Sequence, residues 1–190
     1  EMFLWPTKIS EKDQIIFNWG DLSLVLIKEN NLIMRYGGRE VSLHQSLLTR
    51  HWYLINGMID FCRGSISLEI KMLRAVAGYA SNDYAISYGS YKTKNFDLPI
   101  VLGARFEKKG TNQNITSNHF NGKIEAPKIT INKNSSTSIS WNFSKDIDKP
   151  LVIDEQGLGC ELKLINCPLR ACTGHNWDGS VESWKENSKQ

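Results

Sequence analysis

Ser65-Ile66-Ser67-Leu68-Glu69-Ile70-Lys71-Met72 carries an apolar residue at every second position and a polar one between. Successive side chains of a strand point to opposite faces, so this stretch has one face suited to a core and one suited to water. Shorter apolar and alternating runs lie on both sides of it, separated by Gly, Asn and Pro. No amphipathic helix of useful length interrupts them. The pattern predicts an all-β chain folded as a two-sheet antiparallel β-sandwich.

Upstream, Trp52 to Asp60 reads as a strand with an irregularity at Asn56-Gly57, and residues 61–64 turn the chain into the alternating segment. Leu22 to Lys28 and Leu32 to Tyr36 form a hairpin around Glu29-Asn30-Asn31, with Gln14 to Trp19 as the strand before it. Gly37-Gly38 reverses the chain into Glu40 to Leu43, and Leu43 to Arg50 has room for one short helical turn. Met2 to Trp5 is a further strand, closed by Pro6, which cannot donate to a central ladder.

Downstream, residues 76–98 are polar and Tyr-rich and read as a long surface excursion. Ile100 to Ala104 is a short buried strand, and Lys108 to Asn118 a polar loop. Asn121-Gly122 suits a type I′ turn, since both residues tolerate positive φ. Lys128 to Ile131 reads as a strand. Ile139, Trp141 and Phe143 share one face of another, as do Leu162 and Leu164.

With 190 residues, 41% of them hydrophobic, the chain has enough apolar material for one core. We read residues 1–170 as one sandwich and 171–190 as a junction and polar tail leading toward a downstream region of a longer polypeptide. The net charge is +3 with Lys and Arg dispersed, and the densest basic run, Arg105 to Lys109, is broken by Phe106 and Glu107. This argues against a nucleic-acid partner. No apolar run approaches the ~18 residues of a membrane span. Cys62, Cys160, Cys167 and Cys172 form no Cys-x-x-Cys pair, which fits a reduced, cytoplasmic setting.

Cys160, Cys167, Cys172 and His175 are soft ligands close in sequence, but their spacing matches no zinc module, and packing is the favoured role. Cys172 with His175 lacks an orienting partner for nucleophilic catalysis. We expect His175, Trp177 and Asp178 to fix the turn at the junction and, with the 76–98 excursion, to belong to the surface that faces a partner. Asp60, Asp83 and Asp97, with Asn82 and Asn95, carry oxygens suited to calcium, yet no loop has a dense carboxylate pattern, and Asx turns are favoured. Tyr79, Tyr84, Tyr88 and Tyr91 offer either a surface for sugars or protein partners, or a lid over the core. His44, His51 and His119 read as hydrogen-bonded structural residues.

The order Trp5-Pro6-Thr7, Trp52-Tyr53, the alternating strand, Val101 to Ala104 and Phe120-Asn121-Gly122-Lys123-Ile124 resembles a laminin-G/concanavalin A-like jelly roll over residues 1–131. Farther on, Trp141-Asn142-Phe143-Ser144, Val152-Ile153-Asp154, Gly157 to Leu164 and Asn166 to Gly179 resemble the N,N-dimethylformamidase large-subunit family. That resemblance implies a sandwich preceding a larger catalytic region, possession of a mononuclear iron held by Tyr and Glu beyond this chain, and hydrolysis of a small N-alkylated amide. It implies no catalytic residue, metal ligand or cofactor within the chain. The expected role is therefore an interaction module whose partners are the parent's catalytic region and other subunits. A lectin-type carbohydrate-binding module is the alternative. The late strands leave room for a permuted strand order.

Overall fold

The structure is a computed structural model that describes residues 1–90, 96, 98–109, 113–132, 136–165 and 175. The chain runs β1 (Met2–Pro6), β2 (Gln14–Trp19), β3 (Leu22–Ile27), a 3-10 turn (Lys28–Asn30), β4 (Asn31–Tyr36), β5 (Arg39–Ser42), β6 (Tyr53–Asp60), β7 (Ser65–Met72) and β8 (Asn82–Tyr88). It continues through β9 (Val101–Leu102), β10 (Arg105–Lys109), β11 (Gln113–Ser117), β12 (Gly122–Glu125), β13 (Lys128–Asn132), β14 (Ser136–Ser140), β15 (Leu151–Val152) and β16 (Leu162–Lys163). Among the described residues no α-helix forms, and the expected all-β antiparallel architecture is observed.

Two compact units divide the chain: Leu4–Lys123, and Glu1–Phe3 with Ile124–Gln190. The division falls within β1 and β12. The expected boundary near residue 170 lies outside the described residues.

Leu4–Lys123 contains the bulk of two five-stranded sheets, ordered β12-β1-β6-β7-β8 and β5-β4-β3-β2-β9. Ile66, Leu68 and Ile70 of β7 and Ile55 of β6 are buried between them, as the alternation requires. The sheets approach closely where Gly57 of β6 faces Met34 of β4: a Cβ on Gly57 would lie 2.9 Å from the Met34 sulfur. Pairing of β6 with β7 runs unbroken through Asn56 and Gly57, and the missing side chain of Gly57 makes space for a core methionine. At one end of the core, the buried Tyr36 ring lies parallel to Phe96 at 5.7 Å, and the Trp19 indole donates to the Phe96 carbonyl at 3.1 Å.

The second sheet also buries its other face. Ile15, Val25 and Ile33 align across β2, β3 and β4 and have no exposed surface, with Ile27 packed beside them. Strand β2 serves both faces through a bulge: Ile15 pairs Val25, but Phe17 pairs Leu24, which leaves Ile16 as an extra residue. The Ile16 carbonyl accepts from the Gly103 amide at 2.8 Å.

Four local expectations are corrected. Residues 76–98 are not one long excursion, because β8 pairs with β7 along its whole length. Lys108 to Asn118 is not a loop, because β10 and β11 pair from Arg105↔Ser117 to Lys109↔Gln113. No helical turn forms in 43–50; the chain tightens instead at Lys28–Asn30, where Glu29 and Asn30 have positive φ. Asn121-Gly122 is not a positive-φ turn. Gly122 is required for another reason: a Cβ there would lie 2.4 Å from the Trp5 carbonyl oxygen and 2.2 Å from the Phe120 ring.

The other unit is built differently. Hairpin β13–β14 pairs Lys128 with Ser140 through Asn132 with Ser136, and β15 pairs β16 over two positions. Glu1 and Lys128 exchange backbone bonds, with the terminal ammonium 2.9 Å from the Lys128 carbonyl. Trp141 and Val152 are buried, and Trp141 donates to the Pro127 carbonyl through its amide and to the Cys160 carbonyl through its indole, at 3.1 and 2.6 Å.

Candidate docking surface on the β8 edge

Strand β8 ends its sheet and reverses the usual division of residue sizes. Tyr84, Ile86 and Tyr88 point outward, and Asp83, Ala85 and Ser87 point toward the other sheet. Tyr88 is 66% exposed and Tyr84 49%. Tyr79, in the turn before β8, is also exposed. Register extends the patch inward along the sheet: Ile86 lies opposite Ser67, and Ser67 opposite Met58, which is itself exposed. The Tyr79, Tyr84 and Tyr88 rings are therefore at the surface and do not form a lid over the core. Tyr91, Trp177 and Asp178 lie outside the described residues.

The small inward side chains hold this edge in place. Asp83 accepts from the His44 and Gln45 amides at 2.8 and 3.0 Å, and its other oxygen lies 2.8 Å from His44 Nδ1. Burial pushes its carboxyl up, but the hydrogen bonds from the His44 ring and the Gln45 and His44 amides outweigh that and leave it below the ordinary aspartate value. Gln45 adds a reciprocal pair with Ala80, donating to its carbonyl at 2.9 Å and accepting from its amide at 3.2 Å. Arg39 of β5 donates to Ser87 Oγ at 2.6 Å and to the Gly89 carbonyl at 2.9 Å. Each end of β8 is thus fastened to the neighbouring sheet by charge-assisted bonds, and the aromatic face is presented on a fixed backbone.

Sequence reasoning missed Arg39, Gln45, Met58 and Ile86. For Ile86 the signal was the period-2 pattern of 82–88, obscured because its small residues face inward and its large ones face water. Asp83 is committed to backbone amides. Asp60 accepts from the Cys62 and Arg63 amides at 2.9 Å each, the Asx turn expected there. Asp97 and Asn95 lie outside the described residues. His51 Nδ1 lies 2.8 Å from the Thr49 carbonyl and His119 Nε2 lies 3.0 Å from Thr116 Oγ1, both structural hydrogen bonds.

In the unit Glu1–Phe3 with Ile124–Gln190, His175 lies against Phe3, ring centroids 3.6 Å apart and near-parallel, with Nδ1 3.0 Å from Glu125 Oε2. Its amide donates to the same carboxylate at 2.6 Å. Cys160 is half-buried, its amide donating to Asp154, while Cys167 and Cys172 lie outside the described residues. Among the described residues no three His, Cys, Asp or Glu side chains come together in an arrangement that would hold a metal ion. No described helix is long and apolar enough to cross a membrane.

A scan against models of known protein families matched none. Two curated proteins are similar to this chain, the N,N-dimethylformamidase beta subunits of Alcaligenes sp and Paracoccus aminophilus. Each is 25% identical, over 225 and 227 residues respectively, and each alignment covers 96% of this chain. The chain spans 29% of the length of each relative. The enzyme named is the one the sequence resembles, and the matched relatives are its beta subunits.

Proposed function

We propose that this chain is a non-catalytic interaction module of a dimethylformamidase-type amidohydrolase, whose reaction is hydrolysis of a small N-alkylated amide. The observation that carries the reading is the exposed aromatic face of Tyr79, Tyr84 and Tyr88 with Ile86 and Met58, held on a fastened edge strand. Rigid tyrosines supply large contact area at low entropic cost, and an exposed apolar patch on a rigid sheet suits protein contact. The relatives are named as subunits, which supports other polypeptides of such an assembly as partners. No reaction step is assigned to the described residues, and the iron implied by the resemblance belongs to the proposed partner.

The test mixes the purified chain with the part of the Paracoccus aminophilus beta subunit that lies outside the aligned region. Binding is expected, with no dimethylamine released from N,N-dimethylformamide by the chain alone. The Tyr84→Ser/Tyr88→Ser variant loses at least tenfold in affinity, while its stability stays within ~0.5 kcal/mol of the parent because both side chains are at the surface. Turnover by the chain alone, or unchanged binding by the variant, overturns the proposal.

A further inference from the structure

At one end of the sheet β5-β4-β3-β2-β9, the Gly20-Asp21 and Gly37-Gly38 turns border an open cleft of about 520 Å³. Register aligns Asn18 with Ser23, Ser23 with Arg35, and Arg35 with Glu40, so these side chains form one row on one face of four strands. Arg39, Arg105, Leu98 and Phe106 lie along the rest of the cleft.

Arginines outnumber carboxylates in this lining: Arg35, Arg39 and Arg105 against Asp21 and Glu40. Their duties differ. Arg35 Nε donates to Glu40 at 2.7 Å and its Nη1 lies 3.5 Å from Asp13; the Glu40 bond is the main cause that raises its guanidinium above the ordinary value. Arg39 is spent on Ser87 and on the Gly64 and Gly89 carbonyls. Arg105 is exposed and forms no ion pair among the described residues.

The position of Arg105 is nevertheless fixed. The amide of the next residue, Phe106, donates to Asn18 Oδ1 at 3.3 Å, and Asn18 Nδ2 donates to the Gly20 and Leu22 carbonyls. Asn18 therefore ties the start of β10 to the β2–β3 turn. The result is an uncommitted guanidinium at the mouth of a polar row, beside the apolar Leu98 and Phe106. A planar guanidinium in that setting matches a carboxylate bidentately.

We propose that this cleft is a carboxylate-binding site that receives an acidic side chain or chain end of a partner polypeptide, gripped by Arg105. The volume lies within the ~300–1,000 Å³ of ligand sites. Its open form suits a segment laid across it, where an enclosed pocket would suit a small molecule. The choice of a polypeptide occupant rests on the interaction-module reading; the carboxylate chemistry stands on the cleft itself.

The test titrates the 15N-labelled full chain at low salt with a tetraglutamate peptide and, separately, with sodium acetate. The peptide is expected to shift the amide resonances of Ser23, Gly38, Arg105 and Phe106, and binding weakens as salt is added. Arg105→Ala weakens peptide binding about tenfold, the scale of one charged hydrogen-bonded contact, and Arg105→Lys restores part of it. No shift at these amides, or equal binding by Arg105→Ala, overturns the site. Acetate binding as tightly as the peptide per carboxylate overturns the polypeptide occupant. The titration uses no assembly partner, so its failure is separable from failure of the β8 binding experiment.

Discussion

Leu4–Lys123 and the described residues between Ile124 and Ile165 are held by different forces. In the first, Leu4, Ile15, Ile16, Leu26, Leu32, Ile33, Tyr36, Tyr53, Ile55, Ile66, Leu68 and Ile70 are almost entirely withdrawn from water. In the second, Trp141 and Val152 are buried, while Ile131, Ile147, Leu151, Ile153, Leu158 and Ile165 are exposed. Its order comes from polar groups. The Asp154 carboxylate, itself buried, accepts from the Leu158 and Cys160 amides at 2.8 and 2.9 Å. Gly157 and Gly159 supply the positive φ that curls the loop around it. Glu155 and Gln156 clasp Ser140, and Lys145 reaches Glu155 at 3.1 Å. A sheet pair can rely on hydrophobic burial, which has no preferred direction; a region with little apolar interior depends on a few directed bonds that fail singly.

The largest effect belongs to the sandwich. Leu68→Ala removes a fully buried side chain between sheets and should cost about 2–5 kcal/mol, read from urea unfolding. Native-state hydrogen exchange should assign that loss to Leu4–Lys123. An effect below ~1 kcal/mol would mean that the core does not carry the fold. Asp154→Asn sharpens the other side: it removes the charge that the loop amides converge on. Amide protection is expected to fall at Leu158 and Cys160 and to stay constant in β6 and β7. Equal protection in variant and parent would refute the polar organisation.

Acid gives the smallest and most graded contrast. Backbone hydrogen bonds, led by that from Leu158, hold the Asp154 carboxyl below the ordinary value of 3.8. Lys145 holds Glu155 below the ordinary 4.5. A depressed carboxyl contributes stability above its ordinary value and loses it as pH falls through the native one. Protection of 154–160 should therefore be constant from pH 7 to 5 and decline below about pH 4. The β7 amides should respond less, since Asp83 only fastens an edge. Loss above pH 5 would break the comparison.

The sandwich was legible because most of its strands alternate or run apolar. Gln14 to Trp19 and residues 65–72 coincide with β2 and β7, and most other predicted strands of the first hundred residues fall within a residue or two of the observed ones. β8 was hidden because Asp83, Ala85 and Ser87 face the other sheet and the bulky residues face water. The 105–117 hairpin was hidden by polar composition, since pairing there is a backbone property. The tyrosines were visible as a cluster, but their common face depends on a strand the pattern did not reveal. Arg39, Gln45 and Arg105 carried no signal: their roles arise from partners tens of residues away, which no local spacing encodes.

The extra residue at Ile16 has a consequence for how this fold tolerates change in length. Before the bulge, β2 offers Ile15 to one hydrophobic layer; after it, Phe17 serves the opposite one. Deleting a single residue from this strand would send half of its side chains to the wrong layer, whatever amino acids remained. Insertions and deletions should be far better accommodated at the Glu11-Lys12 bend than three residues farther on.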